Sequence, residues 1–296
     1  MTRANTILLT GARGQLGREL AAALRGAGDV VACDHATLDL ADADRIVDVV
    51  RAVAPRTIVN AAAYTAVDRA EQERDAAFAI NGRAPGILSA EARRANAVLV
   101  HYSTDYVFDG EATTPYDEAS SPNPINAYGA SKLEGERAIA ATGGAAITLR
   151  TSWVYARHGQ NFFTTMQKLA ASRSELRVVA DQIGVPNWAR AIARATARLI
   201  RETGPGLGER AGLYHLSAAG STTWYGFASA LLQGQPVRVT PIATTDYPTP
   251  ARRPAYGVLD ATLFARTFGF GLPDWQTLLH ECMRSEAEPH RSDPVH

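Results

Sequence analysis

The feature that most limits what this chain can fold into lies at its start. A short, apolar, β-branched run, Thr6–Thr10 (TILLT), leads directly into Gly11-Ala12-Arg13-Gly14-Gln15-Leu16-Gly17, which opens a helical stretch, Leu16–Arg25. A strand, a GxxGxxG turn and a helix in immediate succession leave few architectures open. The turn needs residues without a Cβ, so that backbone can approach an anion where helical N–H groups and the macrodipole favour negative charge. Asp34 follows the next apolar run, 23 positions after Gly11, at the distance where a carboxylate meets a ribose. A ligand-free βα turn would explain the glycines alone, but not their register with strand, helix and carboxylate.

The alternation continues. Asp29–Cys33, Thr57–Asn60, Ala97–Tyr102 and Ala145–Arg150 read as further strands. Ala43–Val53, Glu71–Ala95 (broken or kinked at Pro85) and Asn126–Ala141 read as helices between them. This order predicts an α/β fold: a doubly wound parallel sheet of Rossmann type, built from right-handed crossovers with helices on both faces. Residues 1–150 are expected to form the dinucleotide-binding domain. Residues 151–296 are expected to form mainly a smaller substrate-binding α/β region, with some segments returning to the first domain. There, Asn161–Ser172 and Arg190–Glu202 read as helices, Arg177–Ala180 as a strand and Gly204–Gly212 as a linker. Aromatic and proline density then rises, as suits loops over a ligand. From about Arg284 the chain is polar and is expected to fray.

Composition narrows the function classes. Thirty Lys and Arg balance thirty Asp and Glu, which excludes a globally basic nucleic-acid coat. The two cysteines, Cys33 and Cys282, form no CxxC pair, so a zinc ribbon or redox motif is not expected. No apolar run approaches the ~20 residues of a membrane helix, and no signal peptide is expected. A cytoplasmic location fits best.

Within the turn, Gly11, Arg13, Gly14, Gln15, Leu16 and Gly17 are the candidate cofactor contacts. Arg13 is placed to meet a ribose 2′-phosphate, whereas Asp34 would repel one, so the NADP and NAD signals conflict. Asp39, followed by Leu40, either bonds an adenine amino group or caps the following helix.

A second motif carries chemistry. Tyr128-Gly129-Ala130-Ser131-Lys132 opens a helix, and a spacing of four puts Tyr128 and Lys132 on one face. A phenol, with its pKa near 10, is a poor acid or base at neutral pH. A nearby ammonium favours phenolate, so the pair can protonate a developing alkoxide and be reset. Ser103-Thr104-Asp105 ends the fourth strand, at the sheet edge where ligands bind, and its hydroxyls can bond a substrate carbonyl.

These residues are where the chain resembles an extended short-chain dehydrogenase/reductase. Further segments narrow the resemblance to the dTDP-4-dehydrorhamnose reductase family. They are Asn60–Asp68 (NAAAYTAVD), His101–Phe108 (HYSTDYVF), Tyr128–Glu136 (YGASKLEGE), Arg150–Tyr155 (RTSWVY), Asp181–Pro186 (DQIGVP) and Tyr214–Ser217 (YHLS). The resemblance covers about Thr6 to Trp275. It implies reduction of the C4 ketone of dTDP-4-dehydro-L-rhamnose to dTDP-L-rhamnose, with NADPH as cofactor and NADH also accepted. It further implies Tyr128 as general acid, Lys132 as its tuner and the holder of the nicotinamide ribose, and Thr104 as the group that polarises the ketone. Asp105, Tyr106 and Trp153, beside Ser103, would line the sugar pocket. Ala61, Ala62, Ala63 and Tyr64 would pass along the cofactor.

Magnesium-dependent homodimers of that family carry acidic ligands at the subunit contact. Glu19 matches one such position, but Arg190 stands where a glutamate would be. Magnesium is therefore not expected, and the chain is expected to be a monomer or weak homodimer. Arg252 and Arg253 either clamp the substrate diphosphate or form a solvated loop pair. Trp224 and Tyr225 read as core packing, His101 as a packed core histidine, and Arg69–Arg74 as a solvated helix face. Two other functions stay open: a reductase of another dTDP-4-keto sugar, as in antibiotic sugar pathways, and a non-catalytic subunit like the regulatory subunit of methionine adenosyltransferase.

Overall fold

The protein is described by a computed structural model over residues 5–285. Six parallel strands form its main sheet: β1 (Thr6–Thr10), β2 (Asp29–Cys33), β3 (Thr57–Asn60), β4 (Val98–Thr104), β5 (Ala146–Thr151) and β6 (Gly212–His215), in the order β6-β5-β4-β3-β1-β2. The order reverses at β1, which pairs with β2 on one side and β3 on the other. Open α/β sheets bind ligands at the carboxyl end of such a switch point.

The four inner strands, β5, β4, β3 and β1, are buried on both faces, and side-chain alternation divides them between two cores, whereas the edge strand β2 is largely exposed. Ile7, Leu9, Val59, Val100, Ile147 and Leu149 point one way, into a core closed by helices α1 (Gln15–Ala23) and α5 (Ala189–Thr203). Leu8, Ile58, Leu99 and Ala146 point the other way, onto α2 (Ala43–Val53), α3 (Ala84–Arg94) and α4 (Ala127–Ala141). A third core, around Phe163, Trp188, Phe227 and Trp275, belongs to the smaller region. Three two-stranded sheets frame that region. Glu175–Val179 runs parallel to Arg238–Ile242, Val154–Tyr155 parallel to Asn187–Trp188, and Ile183–Gly184 antiparallel to Thr222–Thr223.

Two expectations need correction. The stretch read as helical over Glu71–Ala95, with a break or kink at Pro85, begins only at Arg74: it is Arg74–Phe78, a π-helical turn at Ala79–Arg83, and then α3, while a separate short helix, Val67–Ala70, precedes it. Asn81-Gly82, two weak helix formers, sits inside that π turn, and Pro85, which has no N–H to give, follows directly on it in the first turn of α3. The Gly204–Gly212 stretch is no simple linker, because Gly204–Arg210 is a 3₁₀ helix and Gly212 begins β6, an edge strand of the main sheet. Helix Trp275–Arg284 extends through Arg284, and the expected tail beyond residue 285 lies outside the described residues. Among the described residues, no helix is long and apolar enough to cross a membrane.

Candidate active site

The glycine turn is built as the cofactor reading requires. Gly11 has φ +69°, and a Cβ there would lie 2.6 Å from the Ala62 nitrogen. A Cβ on Gly17 would reach 2.0 Å from the Gly11 carbonyl oxygen, so Gly17 lets α1 press against the turn. Gly14, the N-cap of α1, meets only the Gly11 oxygen, at 3.1 Å. The turn therefore leaves one face bare of side chains beside a helix N-terminus.

That face opens on a cavity of about 620 Å³ lined by Gly11, Arg13, Gly14, Gln15, Leu16, Asp34, Asp39, Leu40 and Ala61–Ala63. Ser103, Tyr128 and Lys132 line its other end. Arg13 Nε stands 2.8 Å from Asp34, so the two groups with opposed implications form one ion pair. Asp34 also accepts from Thr37, and these hydrogen bonds hold its carboxyl below the usual range, with Arg13 adding to the effect. Asp39 accepts from the Ala41 N–H at 2.9 Å, and Asp42, not Asp39, caps α2.

Two expected cofactor contacts are not lining residues. Gly17 packs inside the turn. Tyr64 donates its hydroxyl to Glu73 at 2.6 Å, and Thr65 lines the cavity instead. A tyrosine long enough to reach the cavity is also long enough to reach a carboxylate elsewhere, which sequence position cannot decide.

Helix α4 carries the Tyr-x-x-x-Lys pair. Asn126 caps it by accepting from the Gly129 N–H, and Glu71 accepts from the Ala127 N–H. A Cβ on Gly129 would lie 2.0 Å from the Tyr106 carbonyl oxygen, so glycine lets α4 sit directly on the turn that follows β4. Tyr128 thereby meets Tyr106 edge-on at 5.6 Å between ring centroids. Burial pushes the Tyr128 hydroxyl up to about 12, against a hydrogen bond with Thr104 that lowers it. Burial lowers Lys132 to about 8, partly offset by the Glu136 carboxylate. Lys132 donates to the Tyr102 carbonyl at 2.6 Å. Thr104 donates to Asp105 at 3.0 Å, and burial pushes that carboxyl up to about 7. Ser103 donates to Glu136, which also takes a bidentate bond from the buried Arg150.

A second cavity of about 520 Å³ lies in the smaller region, lined by Tyr106, Phe162, Arg177, Gln182, Trp224 and Arg253 among others. Tyr106 lines this cavity and touches Tyr128, which lines the first, so the two cavities come together at that pair, while Thr104 and Asp105 line neither. Trp153 lines neither. It stacks on Trp224 at 3.6 Å, with φ +40°, and a Cβ on Gly184 would fall 2.4 Å from its ring. Trp224 is thus a cavity wall as well as a packed residue. Arg253 lines the second cavity and is held bidentate by Asp68, whereas Arg252 lines neither cavity. Within the neighbouring Arg69–Arg74 run, Glu71 accepts from the Ala127 N–H and Glu73 from the Tyr64 hydroxyl, so that run is not simply a solvated face.

Sequence reasoning missed Asn81. It is buried, clamps the Tyr64 backbone through both its N–H and C=O, and donates to Ser131 of the tyrosine motif. A polar Asn-Gly inside an otherwise helical run was the available signal.

Glu19 and Arg190 are brought together, but not as a metal site. Arg190 Nε donates to one Glu19 oxygen at 2.8 Å, and His158 stands 3.2 Å from the other. Both carboxylate oxygens are engaged, one by a fixed cation, so the donor set does not fit a divalent ion. Among the described residues, no group of three His, Cys, Asp or Glu could hold one.

A switch-point glycine turn, and a Tyr-x-x-x-Lys helix beside a strand-end hydroxyl, define an extended short-chain dehydrogenase/reductase. Residues 5–287 match the RmlD substrate binding domain family. A dTDP-4-dehydrorhamnose reductase of Burkholderia thailandensis is 46% identical over 292 residues, 94% of this chain and 98% of that protein. One from Escherichia coli K12 is 42% identical, covering 91% and 94%. The crystal structure of dTDP-4-dehydrorhamnose reductase from Bacillus anthracis in complex with NADP superposes with a TM-score of 0.89 at 35% identity, over 95% of this chain and 99% of that one. The chain belongs to the dTDP-4-dehydrorhamnose reductase family.

Proposed function

We propose that the protein reduces the C4 ketone of dTDP-4-dehydro-L-rhamnose to dTDP-L-rhamnose, using NADPH and also accepting NADH. The observation that carries this reading is the meeting of the two cavities at Tyr106 and Tyr128, with the Thr104 hydroxyl bonded to Tyr128, in a chain whose relatives bear that activity in their names. The bound nicotinamide supplies the hydride.

The chain's own residues do the rest. The side-chain-free face at Gly11 and Gly14, with the N–H groups of α1, suits a pyrophosphate. Gln15, Leu16 and Ala61–Ala63 continue that wall, and Arg13 paired with Asp34 faces the adenosine ribose. Thr104 bonds the ketone oxygen. Tyr128 gives its hydroxyl proton to the alkoxide formed at C4. Lys132, as an ammonium, favours the phenolate that remains. Tyr106 lines the sugar side, with Ser103 and Asp105 assigned to the sugar from the strand end beside it, Trp153 supports that side through Trp224, and Arg253 faces the diphosphate.

We read the protein as a cytoplasmic enzyme, a monomer or weak homodimer, working without magnesium. The intact Thr104, Tyr128 and Lys132 favour catalysis over a purely regulatory subunit. A panel of dTDP-4-keto sugars, followed by NADPH absorbance with product stereochemistry assigned, tests the reading. Turnover of the rhamnose precursor to the L-rhamno product is expected. Exclusive turnover of another keto sugar would replace the substrate, and turnover of none would end the enzyme reading.

A further inference from the structure

His101 is completely buried, and its position is set by sheet register. Thr10 pairs with Asn60, and Asn60 pairs with His101, so three polar side chains stand level across the carboxyl ends of β1 and β3 and the middle of β4. The row ends at Lys132, whose Nζ lies 3.3 Å from His101 Nε2.

Proton bookkeeping along the row has one consistent solution. Asn60 Oδ1 accepts from the Thr10 hydroxyl at 2.6 Å and from the Ala62 N–H at 3.3 Å. Turning the amide would set its NH₂ against the Ala62 N–H, so the observed orientation holds. Asn60 Nδ2 then donates to His101 Nδ1 at 3.0 Å. A neutral imidazole that accepts at Nδ1 carries its proton on Nε2. That N–H therefore faces Lys132.

We propose that His101 is a positioning residue for Lys132: its Nε2–H bonds the free amine and so lets Lys132 release a proton. This rests on the assignment of Tyr128 and Lys132 above. A free amine can donate to the Tyr102 carbonyl and accept from His101 together, whereas an ammonium must set N–H against N–H. After each turnover a proton passes from the Lys132 ammonium to the Tyr128 phenolate, leaving phenol and amine, and the amine regains a proton from water. The other charged group that bears on Lys132 is Glu136 of its own helix, which is neutralised by Arg150 of β5. Burial holds His101 neutral, and the Lys132 charge acts in the same direction.

Nitrogen-15 NMR of histidine-labelled protein, with the His101 signal identified by its loss in His101→Gln, reads the tautomer without reference to activity. The Nε2–H form is expected in the wild type, and an Nδ1–H or doubly protonated ring overturns the proposal. Asn60→Asp keeps both acceptor bonds but replaces the donor to Nδ1 with an acceptor, so Nδ1 carries the proton and donates it, and the Nε2 lone pair now faces Lys132. The tautomer should reverse, and the alkaline limb of kcat/KM should move up by about one pH unit. A reversed tautomer with an unmoved limb overturns the proposal. Should Asn60→Asp fail to fold, His101→Gln decides. Its amide can accept from Asn60 and donate to Lys132, so kcat should stay within about threefold and the limb unmoved. A tenfold loss in a folded variant refutes the role. Absence of any reductase activity with the Nε2–H tautomer present would instead refute the catalytic assignment.

Discussion

The two halves of the molecule form their cavities by different means. In the sheet half, the cavity wall at the glycine turn is backbone: Gly11, Gly14 and Gly17 bring the chain close because no Cβ intervenes, and α1 adds its N-terminus. In the smaller half, the wall is made of side chains that hold one another, Trp224 on Trp153 and Arg253 on Asp68. Backbone walls tolerate little change and serve any ligand with a pyrophosphate. Side-chain walls can be retuned one residue at a time. A common cofactor on one side and a particular sugar nucleotide on the other suit that division.

The largest expected effect lies where the halves meet. Tyr128→Phe should lower kcat by about 10²–10⁴-fold, with NADPH affinity by calorimetry nearly unchanged because ring and Lys132 remain. Near-wild-type turnover would remove Tyr128 as the acid. A smaller effect confined to the substrate half is expected from Gly184→Ala. Its Cβ would strike the Trp153 ring and displace it from Trp224. Loss of such stacking is worth roughly 1 kcal/mol, or a rise in sugar-nucleotide KM of five- to tenfold, with NADPH binding unmoved. A change in both constants would mean that the halves are not separable.

Arg13→Ala is the counterpart in the sheet half. It should weaken NADPH binding by roughly fivefold and leave NADH binding alone, since only the 2′-phosphate needs the guanidinium. Equal loss for both cofactors would contradict that. Smaller still is Glu19→Gln, which trades a charged partner of Arg190 for a neutral one. It should cost about 1 kcal/mol in urea unfolding at neutral pH. Burial raises the Glu19 carboxyl, but hydrogen bonds from His158 and Arg190 outweigh it and leave it below the ordinary value. The stability it contributes is therefore present above the unfolded pKa near 4 and lost as pH falls through the folded one. Wild type and variant should converge in acid. The smallest expected effect is none: EDTA should leave turnover unchanged, and activity restored by magnesium would overturn the reading of Glu19 and Arg190.

Much of this was legible in the sequence. The bounds of β1, β3 and α2 follow from apolar runs and turn residues, because a buried parallel strand must be a short apolar run and an amphipathic helix must repeat its apolar residues; β2 shows the same kind of run although the edge of the sheet leaves most of it exposed. The glycine turn and the Tyr-x-x-x-Lys pair are local motifs, fixed by spacing along one element. Three-dimensional packing decided the rest. Tyr64, Thr65 and Trp153 lie within or beside recognisable motifs, yet which of them faces a cavity depends on partners distant in the chain: Glu73, Asn81, Gly184 and Trp224. The sixth strand of the sheet hides behind a glycine-rich stretch, because an edge strand is defined by the neighbour it pairs with. His101 is the clearest case. By itself it is a histidine in an apolar strand, and only the register of β1, β3 and β4 sets it between Asn60 and Lys132. Sequence determines what is written in one element's own periodicity, and contact between elements determines which side chains meet.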